Sequence, residues 1–252
     1  MNMMASDSLI LPDWSAPARV HALSTTRLGG QSQTPYDSFN LAQHVGDERA
    51  TVLANREHLQ QLAGYKTEPA WLEQVHGIEV VNAADCSGSI AADASVTSSA
   101  NVVCVVMTAD CLPVLFCDKQ GRAVAAAHAG WRGLADGVLE TTLQRLCDEL
   151  GCPASEVLVW FGPAIGASAF EVGTEVRDAF ICQHDVSSAF VATRPEHWLM
   201  DIYAVARTRL TAAGVTEISG GQYCTYTDEQ RFFSYRRNKV CGRMASLIWL
   251  ED

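Results

Sequence analysis

The sequence predicts an α+β fold built on mixed β-sheets, and three observations lead to this prediction. Residues 102–107 form an unbroken apolar and largely β-branched run, typical of a strand that is buried on both faces. Residues 114–117 and 123–129 flank a turn sequence at 118–121, so we expect these two strands to form a hairpin. Because helices alternate with strands while some neighbouring strands form hairpins, mixed sheets are favoured over a doubly wound parallel sheet.

Before this central region the chain is expected to form three strands and one helix. The helix carries apolar residues at helical spacing, and Gly64 can end it. His76 and Gly77 form a turn between two short strands. The predicted elements are a strand over residues 20–26, a helix over 48–63, and strands over 71–75 and 79–81.

The clearest predicted helix follows the hairpin and covers residues 133–150. Its leucines and Val138 form one apolar stripe, and Gly151 stands where a left-handed residue commonly ends a helix. The remaining predicted elements are a strand over 156–161, helices over 171–183 and 200–213, and strands over 218–225 and 245–249. No G-x-G-x-x-G or P-loop pattern is present, so nothing indicates a dinucleotide or ATP fold.

Composition indicates a globular protein with a sizeable core. Of the 252 residues 48% are hydrophobic and 19% charged, and no linker, repeat or low-complexity tract interrupts the chain. We therefore expect residues 1–252 to form a single domain. The net charge of −11 argues against nucleic acid and anionic membranes as partners, although local arginines can still bind a small anionic substrate.

The location expected from the sequence is the cytoplasm. The first fourteen residues contain no Lys or Arg and no long apolar core, so they do not resemble a secretory signal. No segment approaches the roughly 18–20 apolar residues of a membrane helix. The nine cysteines are irregularly spaced, which fits buried small hydrophobic residues in a reducing compartment better than a disulfide framework.

Three reactive side chains stand at the ends of predicted strands: His76, Cys111 and His128. Two imidazoles and a thiolate could hold a catalytic zinc, which typically keeps three protein ligands and one open position. The spacing matches no metal motif, and each residue alone is more often a core residue. Since Asp110 precedes Cys111, that cysteine could instead be a free nucleophile in Cys/His chemistry. The residues leave both hypotheses open.

Several other residues are candidates for binding substrate. Arg132 follows a Gly-Trp turn near a predicted helix start, where it could hold an anion or could stack on Trp131 at the surface. Arg27 is a similar anion candidate, before a Gly-Gly pair. His44 alone is more typical of a structural histidine. Gln74 and Asp110 lie beside the presumed ligands in sequence, and Arg236 with Arg237 are interpreted as a solvated strand end.

Six segments together resemble the multicopper polyphenol oxidase-like (laccase-domain) family, whose bacterial members include purine nucleoside phosphorylase-like enzymes and the peptidoglycan editing factor. They span nearly the whole chain in the expected order. The segments are Asn-Leu at 40–41 with His-Val-Gly-Asp at 44–47, Trp-Leu-Glu-Gln-Val-His-Gly at 71–77, Thr-Ala-Asp-Cys-Leu-Pro-Val at 108–114, Ala-His-Ala-Gly-Trp-Arg-Gly at 127–133, Gly-Pro-Ala-Ile-Gly at 162–166, and Phe-Ser-Tyr-Arg-Arg at 233–237.

The resemblance implies a fold, a metal and a set of site residues. The fold is a single four-layer α/β/β/α domain with mixed sheets, related in layout to a cysteine-hydrolase toxin. The catalytic and zinc-binding residues are His76, Cys111 and His128. The residues predicted to bind substrate, from their own positions in the sequence, are Arg27, His44, Gln74, Asp110 and Arg132. The partners expected are a small-molecule substrate, no nucleic acid and no membrane, in a monomer or small homo-oligomer.

Four functions follow as hypotheses. The leading one is a zinc-dependent purine nucleoside phosphorylase acting on adenosine, inosine and methylthioadenosine, with adenosine deaminase side activity. The second is an amidase that removes L-serine from UDP-N-acetylmuramyl-L-serine. The third, a copper polyphenol oxidase, is disfavoured because the chain lacks His-x-His motifs and a single His₂Cys site cannot hold a four-copper relay. The fourth is a non-catalytic metal-binding module.

Overall fold

The computed structural model describes residues 7–182 and 185–252. Within them the helices are α1 (Arg49–Ala63), α2 (Trp131–Asp136), α3 (Val138–Leu150), α4 (Thr174–Ile181) and α5 (Ile202–Ala212). The strands are β1 (Leu9–Ile10), β2 (Val20–Thr25), β3 (Val80–Asn82), β4 (Ala94–Thr97), β5 (Val103–Thr108), β6 (Leu112–Asp118), β7 (Val124–Ala129), β8 (Val157–Phe161), β9 (Glu171–Gly173), β10 (Phe190–Arg194), β11 (His197–Met200), β12 (Glu217–Gly220) and β13 (Met244–Leu250).

The strands form two main sheets and a small one. A six-stranded sheet has the order β12-β8-β6-β7-β4-β3, a four-stranded sheet the order β1-β2-β13-β5, and a three-stranded sheet the order β10-β11-β9. In the six-stranded sheet β12 pairs with β8 and β3 with β4 in parallel, whereas its other pairs are antiparallel. The predicted α+β class with mixed sheets is therefore confirmed.

The two main sheets pack face to face, with helices on both outer faces. On β5, Cys104 and Val106 pack between the sheets, whereas Val105 packs on the opposite face in the cluster that contains Leu59 of α1. On β6, Leu115 packs between the sheets while Phe116 packs with the residues of α3 and α5. Because successive side chains of a strand point to opposite faces, these clusters give the layer order α/β/β/α.

The turn between β6 and β7 forms as predicted and is held by one fully buried carboxylate. Asp118 accepts hydrogen bonds from the backbone nitrogens of Gln120 (3.2 Å), Arg122 (2.5 Å) and Ala123 (3.1 Å), and from Nε of Arg122 (2.8 Å). Its pKa lies below the ordinary value because these hydrogen bonds outweigh the effect of burial, which alone would raise it. The turn fixes the register in which Pro113 faces His128 across the hairpin.

The single helix predicted over residues 133–150 is wrong, because the structure has two helices there. Gly137 adopts φ +105°, a left-handed conformation that ends α2 and begins α3. The first of these helices also begins two residues earlier than predicted, at Trp131. A lone glycine inside an amphipathic stripe is compatible with a continuous helix, so the pattern alone could not show the break.

Other element predictions need correction. Residues 71–75 contain one isolated bridge, from Glu73 to Ala91, instead of a strand, and the side-chain amide of Gln74 pairs with the β5 backbone. Residues 171–173 are a strand that pairs with β11, so the helix predicted from 171 begins at Thr174, and its predicted end at Gln183 lies outside the described residues. The strand over 218–225 ends at Gly220, where positive φ angles at Gly220 and Gly221 turn the chain. Strands β1, β4, β9, β10 and β11 were not predicted.

Replacing Gly137 with alanine should destabilise the protein without touching the candidate site. An added Cβ would find only ordinary contacts, at 3.7 Å from Arg209 and Glu140, so the cost comes from the left-handed backbone. We expect the free energy of unfolding to fall by about 1–2 kcal/mol in urea titrations. Gly151→Ala, at φ +60° with open space around it, should cost less. Equal stability of wild type and Gly137→Ala would contradict the explanation for the helix break.

No helix in the described part of the chain combines the length and apolar character needed to cross a membrane.

Candidate metal centre

The three side chains predicted as zinc ligands lie together at one end of the six-stranded sheet. Cys111 immediately precedes β6, His128 lies near the end of β7, and His76 lies in the loop before β3. Their ligand atoms all lie within 4.8 Å of one another. His128 is buried, Cys111 half-buried and His76 exposed, so the cluster opens to solvent on the His76 side. Residues far apart in sequence thus form one compact donor set.

The β6–β7 hairpin and a strained loop bring these donors together. The hairpin pairs Leu112 with Ala129 and Pro113 with His128, which sets Cys111 beside the end of β7. His76 has φ +63°, a left-handed conformation that is uncommon outside glycine. Its Nε2 lies 3.8 Å from Sγ of Cys111, and its ring packs edge-on against His128 with centroids 4.8 Å apart. Such strain is typical of functional sites.

A residue that the sequence analysis missed, Asp93, connects the two histidines. Its fully buried carboxylate accepts a hydrogen bond from Nδ1 of His128 at 2.7 Å. It also accepts from the backbone nitrogens of Val75 (3.1 Å), His76 (2.9 Å) and Gly77 (2.6 Å). The sequence signal that could have found it is an aspartate between two alanines in an otherwise small and apolar segment.

The hydrogen bond to Asp93 determines which ring nitrogen of His128 is free. Since Nδ1 donates to the carboxylate, Nε2 is left for the cluster. Burial alone would raise the pKa of Asp93, but hydrogen bonds from His128 and from the backbone of Gly77 and His76 hold it below its ordinary value. The carboxylate is therefore ionised at neutral pH and makes His128 a stronger electron-pair donor.

Cys111 and His128 shift each other's protonation. Burial alone would raise the pKa of the Cys111 thiol, but the charge of His128 and hydrogen bonds from both histidines lower it to about 6. Burial alone would lower the pKa of His128, but the Cys111 thiolate and Asp93 raise it to about 9. At neutral pH the metal-free pair is thus a thiolate beside an imidazolium. The thiolate is the form that binds metals or attacks electrophiles, whereas His128 releases a proton from Nε2 when that nitrogen binds a metal.

Gly130 and Gly133, at the start of α2, allow the ligand side chains to approach one another. A Cβ on Gly130 would lie 2.5 Å from Cδ2 of His76 and 3.3 Å from Sγ of Cys111. A Cβ on Gly133 would lie 2.7 Å from the carbonyl oxygen of Gly77. Only a hydrogen atom fits at either position, so these two glycines let the backbone pack closely against the loop that carries His76.

Asp110, predicted to bind substrate, is engaged with the protein itself. Its carboxylate accepts hydrogen bonds from Oγ1 of Thr225 (2.7 Å), Oγ of Ser234 (3.0 Å) and the backbone nitrogen of Arg236 (2.7 Å). Like His76 it has a left-handed backbone, at φ +92°. These contacts fix the segment around residues 225–236 beside Cys111, so a substrate role of Asp110 stays a prediction.

A small cavity of about 140 Å³ opens next to Cys111. Aromatic and apolar side chains form most of its wall. The guanidinium of Arg236 lies 5.5 Å from the ring centre of Phe170 and donates to the carbonyl oxygen of Glu171 at 2.8 Å. The lining residues are Ala109, Asp110, Cys111, Trp131, Ile165, Phe170, Ile202, Tyr235 and Arg236.

The two arginines predicted to bind anions differ in their surroundings. Arg132 is exposed in α2 and stacks on Trp131 at 4.3 Å, and no described residue pairs its guanidinium with a carboxylate. Arg27 uses its guanidinium inside the protein: Nε donates to the carbonyl oxygen of Asp37, Nη2 to its carboxylate, and Nη1 to the carbonyl oxygen of Glu229. Of the two, Arg132 is the one available to an incoming anion.

His44 and Gln74 line a second and larger cavity of about 700 Å³. The Gln74 amide is used by the fold, because it donates to the carbonyl oxygen of Met107 (2.8 Å) and accepts from its backbone nitrogen (2.7 Å). Burial lowers the pKa of His44, and Arg243 and Arg56 lower it further. Arg56, which the sequence analysis did not single out, stacks on Trp71 at 3.7 Å in this cavity wall.

The interpretation of Arg237 as a solvated strand end is wrong. Its guanidinium donates to the carbonyl oxygens of Thr225, Tyr226 and Phe232 and is largely buried. Arg237 therefore holds together the same C-terminal segment that Asp110 anchors. Its partners are backbone carbonyls 5 to 12 residues earlier in the chain, in a segment without regular secondary structure.

The donor set can hold one metal ion, and its chemistry is compatible with zinc. Two imidazoles and a thiolate are borderline to soft ligands. Three such ligands leave the fourth coordination position of a tetrahedral metal open, as in catalytic zinc sites. Among the described residues His76, Cys111 and His128 are the one group of three or more His, Cys, Asp and Glu side chains arranged to hold a metal. That is enough for one ion and too little for a four-copper relay.

Comparison with known proteins finds similar chains. The sequence model of the family described as "Multi-copper polyphenol oxidoreductase laccase" matches residues 21–251. "Purine nucleoside phosphorylase PA4543" of Pseudomonas aeruginosa is 55% identical over 245 residues, which cover 96% of this chain and 98% of the relative. "Purine nucleoside phosphorylase YfiH" of Escherichia coli is 51% identical over 243 residues, with coverages of 96% and 98%. Neisseria meningitidis protein NMB0706, described as DUF152, superposes with a TM-score of 0.93 at 50% identity and covers 97% of this chain and 100% of its own.

Proposed function

The chain belongs to the multi-copper polyphenol oxidoreductase laccase family, and we propose that within this family it is a zinc-dependent purine nucleoside phosphorylase. Its substrates would be adenosine, inosine and methylthioadenosine, with adenosine deamination as a side activity. Relatives that are 55, 51 and 44% identical are named purine nucleoside phosphorylases, which supports this class of enzyme. The observation that carries the proposal is the His76–Cys111–His128 cluster beside an aromatic cavity.

The cavity beside Cys111 has the chemistry that a purine base requires. A purine is flat, aromatic and weakly polar, so it stacks well on aromatic rings. Trp131, Phe170 and Tyr235 supply those rings, and Arg236 supplies hydrogen-bond donors at the wall. With the base in this small cavity, the ribose and its glycosidic bond would lie at the mouth, beside the ligand cluster.

Phosphorolysis needs an anion held against the ribose while the base departs. A phosphate oxygen forms the new bond to C1′, the bond from C1′ to the base nitrogen breaks, and the base takes up a proton as it leaves. Zinc, when bound, would act as a Lewis acid that stabilises the developing negative charge. Arg132, without a carboxylate partner in the described structure and next to Gly133, is the candidate for holding phosphate.

Arg132→Gln is expected to weaken phosphate use selectively. The variant removes a charged donor while the stem of the side chain can still cover Trp131. Because a hydrogen bond to a charged group contributes about 1.5–3 kcal/mol, KM for phosphate should rise roughly 10-fold or more while KM for adenosine stays nearly constant. Arg145→Gln, at an exposed position on α3, is the matched control. Equal increases of both KM values would contradict the assignment.

The direct test is base release by zinc-loaded protein with and without phosphate. We expect adenine from adenosine and hypoxanthine from inosine, with ribose 1-phosphate formed in equal amount. If none of adenosine, inosine and methylthioadenosine releases its base when phosphate is present, the proposal fails. Inosine formed from adenosine without phosphate would report the deaminase side activity.

A second candidate function is hydrolysis by Cys111 as a free nucleophile. The chain of Cys111, His128 and Asp93 is also the arrangement of a cysteine–histidine–aspartate triad, and the low pKa of Cys111 suits a nucleophile. The amide hydrolysis that releases L-serine from UDP-N-acetylmuramyl-L-serine, for which zinc-bound water is the expected attacking group, would in this case use the Cys111 thiolate instead. A metal-bound thiolate is a poor free nucleophile, so metal content separates the two candidates. Serine release by metal-free protein would favour this one.

A further inference from the structure

We infer that Asp93 is a positioning residue that sets both histidine ligands at once and is not itself a ligand. This inference rests on the proposed metal centre. Its carboxylate joins two parts of the chain, the loop that carries His76 and the strand that carries His128. Neither the family nor the relatives' names assign a role to this residue.

Both carboxylate oxygens of Asp93 are fully used inside the protein. Oδ1 accepts from the backbone nitrogen of His76 (2.9 Å) and from Nδ1 of His128 (2.7 Å). Oδ2 accepts from the backbone nitrogens of Val75 (3.1 Å) and Gly77 (2.6 Å). Four donors surround a side chain with no exposed surface, so no lone pair faces the cluster. Asp93 therefore acts through the histidines.

The loop around His76 depends on this carboxylate. Three successive N–H groups converge on it, which is the concave arrangement that binds anions. His76 has a left-handed backbone and an exposed side chain, and its ring packs edge-on against His128 and closely against Gly130. Without the negative charge of Asp93, the backbone nitrogens of Val75, His76 and Gly77 lose their acceptor, and the loop loses the hydrogen bonds that hold its backbone at His76.

His128 is held by the same residue through two bonds. Its backbone nitrogen donates to the carbonyl oxygen of Asp93 at 2.7 Å, and Nδ1 donates to the carboxylate at 2.7 Å. The first fixes the position of the strand and the second fixes the ring. Partners of this kind typically change metal affinity by about 10–100-fold when they are removed.

The chain supplies a matched control in Asp118. This aspartate is also fully buried and also accepts from three backbone nitrogens and one side-chain nitrogen, at the far end of β6. Asp118→Asn and Asp93→Asn thus remove similar hydrogen bonds. Their effects on stability should be alike, whereas only Asp93→Asn touches the ligands.

The test is titration of the full-length protein and both variants with Zn²⁺ and with Co²⁺ as a spectroscopic probe, with urea unfolding in parallel. We expect Asp93→Asn to bind Zn²⁺ about 10–100-fold more weakly and to alter the Co²⁺ absorption bands, while Asp118→Asn matches wild type in both. Unchanged affinity and bands in Asp93→Asn would overturn the inference. So would equal weakening in both variants, since that outcome reports general destabilisation.

Wild-type protein provides a second test that does not require a folded variant. In the zinc-loaded protein the nitrogen NMR shifts of His128 should show a protonated Nδ1 and a metal-bound Nε2. Metal on Nδ1 would overturn the inference. Wild type that binds no metal would overturn the proposed metal centre together with it. Normal metal binding without phosphorolysis would leave Asp93 as inferred and refute the proposed activity.

Discussion

Cys111→Ala is expected to abolish both metal binding and phosphorolysis while the protein stays folded. The variant leaves two histidines, one of them exposed, and removes the only ligand that carries a negative charge. The decrease in kcat/KM should exceed the roughly 10–100-fold decrease that follows removal of a residue hydrogen-bonded to a metal ligand. Because the Cys111 side chain is not part of the hydrophobic core clusters, the free energy of unfolding should change little in the metal-free state.

Metal analysis of the two proteins, purified without added metal, checks this expectation. About one zinc per wild-type chain and none in Cys111→Ala would support the site. Cys147→Ala, at a partly buried cysteine on α3, should retain the metal and is the control. If wild type and Cys111→Ala contain the same amount of metal but only the variant is inactive, Cys111 is a free nucleophile and the zinc assignment is wrong.

Gly130→Ala is expected to have the second largest effect, because one methyl group would occupy the space of a ligand. Its Cβ would lie 2.5 Å from Cδ2 and 3.2 Å from Nε2 of His76. Gly130 has an ordinary φ of −65°, so alanine adds no backbone strain and the effect is purely steric. The exposed His76 ring must turn away, which removes one ligand. We expect zinc affinity and activity to fall together. The decrease should exceed the roughly 10–100-fold loss that follows removal of a residue hydrogen-bonded to a metal ligand.

Gly64→Ala is the control for this variant, since it strains a backbone at φ +78° but meets no atom within 4 Å. It should lower stability and leave the metal in place. Isothermal titration with Zn²⁺ and urea unfolding of both variants separate the two effects. Wild-type zinc affinity in Gly130→Ala would contradict the arrangement of His76 described here.

The layered core could be predicted from sequence because a strand buried on both faces is a continuous run of apolar residues. Residues 103–107 of β5 alternate between two hydrophobic clusters, so each of these positions is apolar and the run at 102–107 is continuous. The hairpin after it was equally clear, since Asp118 and Gly121 are typical turn residues. The break at Gly137 was not predictable, because a single glycine is tolerated in helices and only its φ angle shows the turn.

The candidate site was predictable as a set of residues and not as a geometry. The spacing of His76, Cys111 and His128 matches no metal motif. The β6–β7 register brings Cys111 and His128 together, and the loop held by Asp93 brings His76 to them. The resemblance to a known family supplied what spacing could not. Asp93 was missed because its importance lies in four hydrogen bonds to residues distant in sequence.

Two residues next to the ligands in sequence have polar groups that are already hydrogen-bonded within the protein, so their predicted roles in substrate binding stay predictions. Gln74 lies two positions from His76, yet its amide pairs with the backbone of Met107. Asp110 adjoins Cys111, yet its carboxylate holds the segment that contains Ser234. In both cases hydrogen-bond partners within the protein, which sequence does not reveal, already occupy the polar groups.

The most direct test of the central claim is phosphate-dependent release of adenine from adenosine by the zinc-loaded protein, with Cys111→Ala measured beside it. The account predicts adenine and ribose 1-phosphate in equal amounts, no ribose 1-phosphate when phosphate is omitted, and no turnover by the variant. Absence of base release by fully zinc-loaded wild type, or equal release by Cys111→Ala, would contradict it.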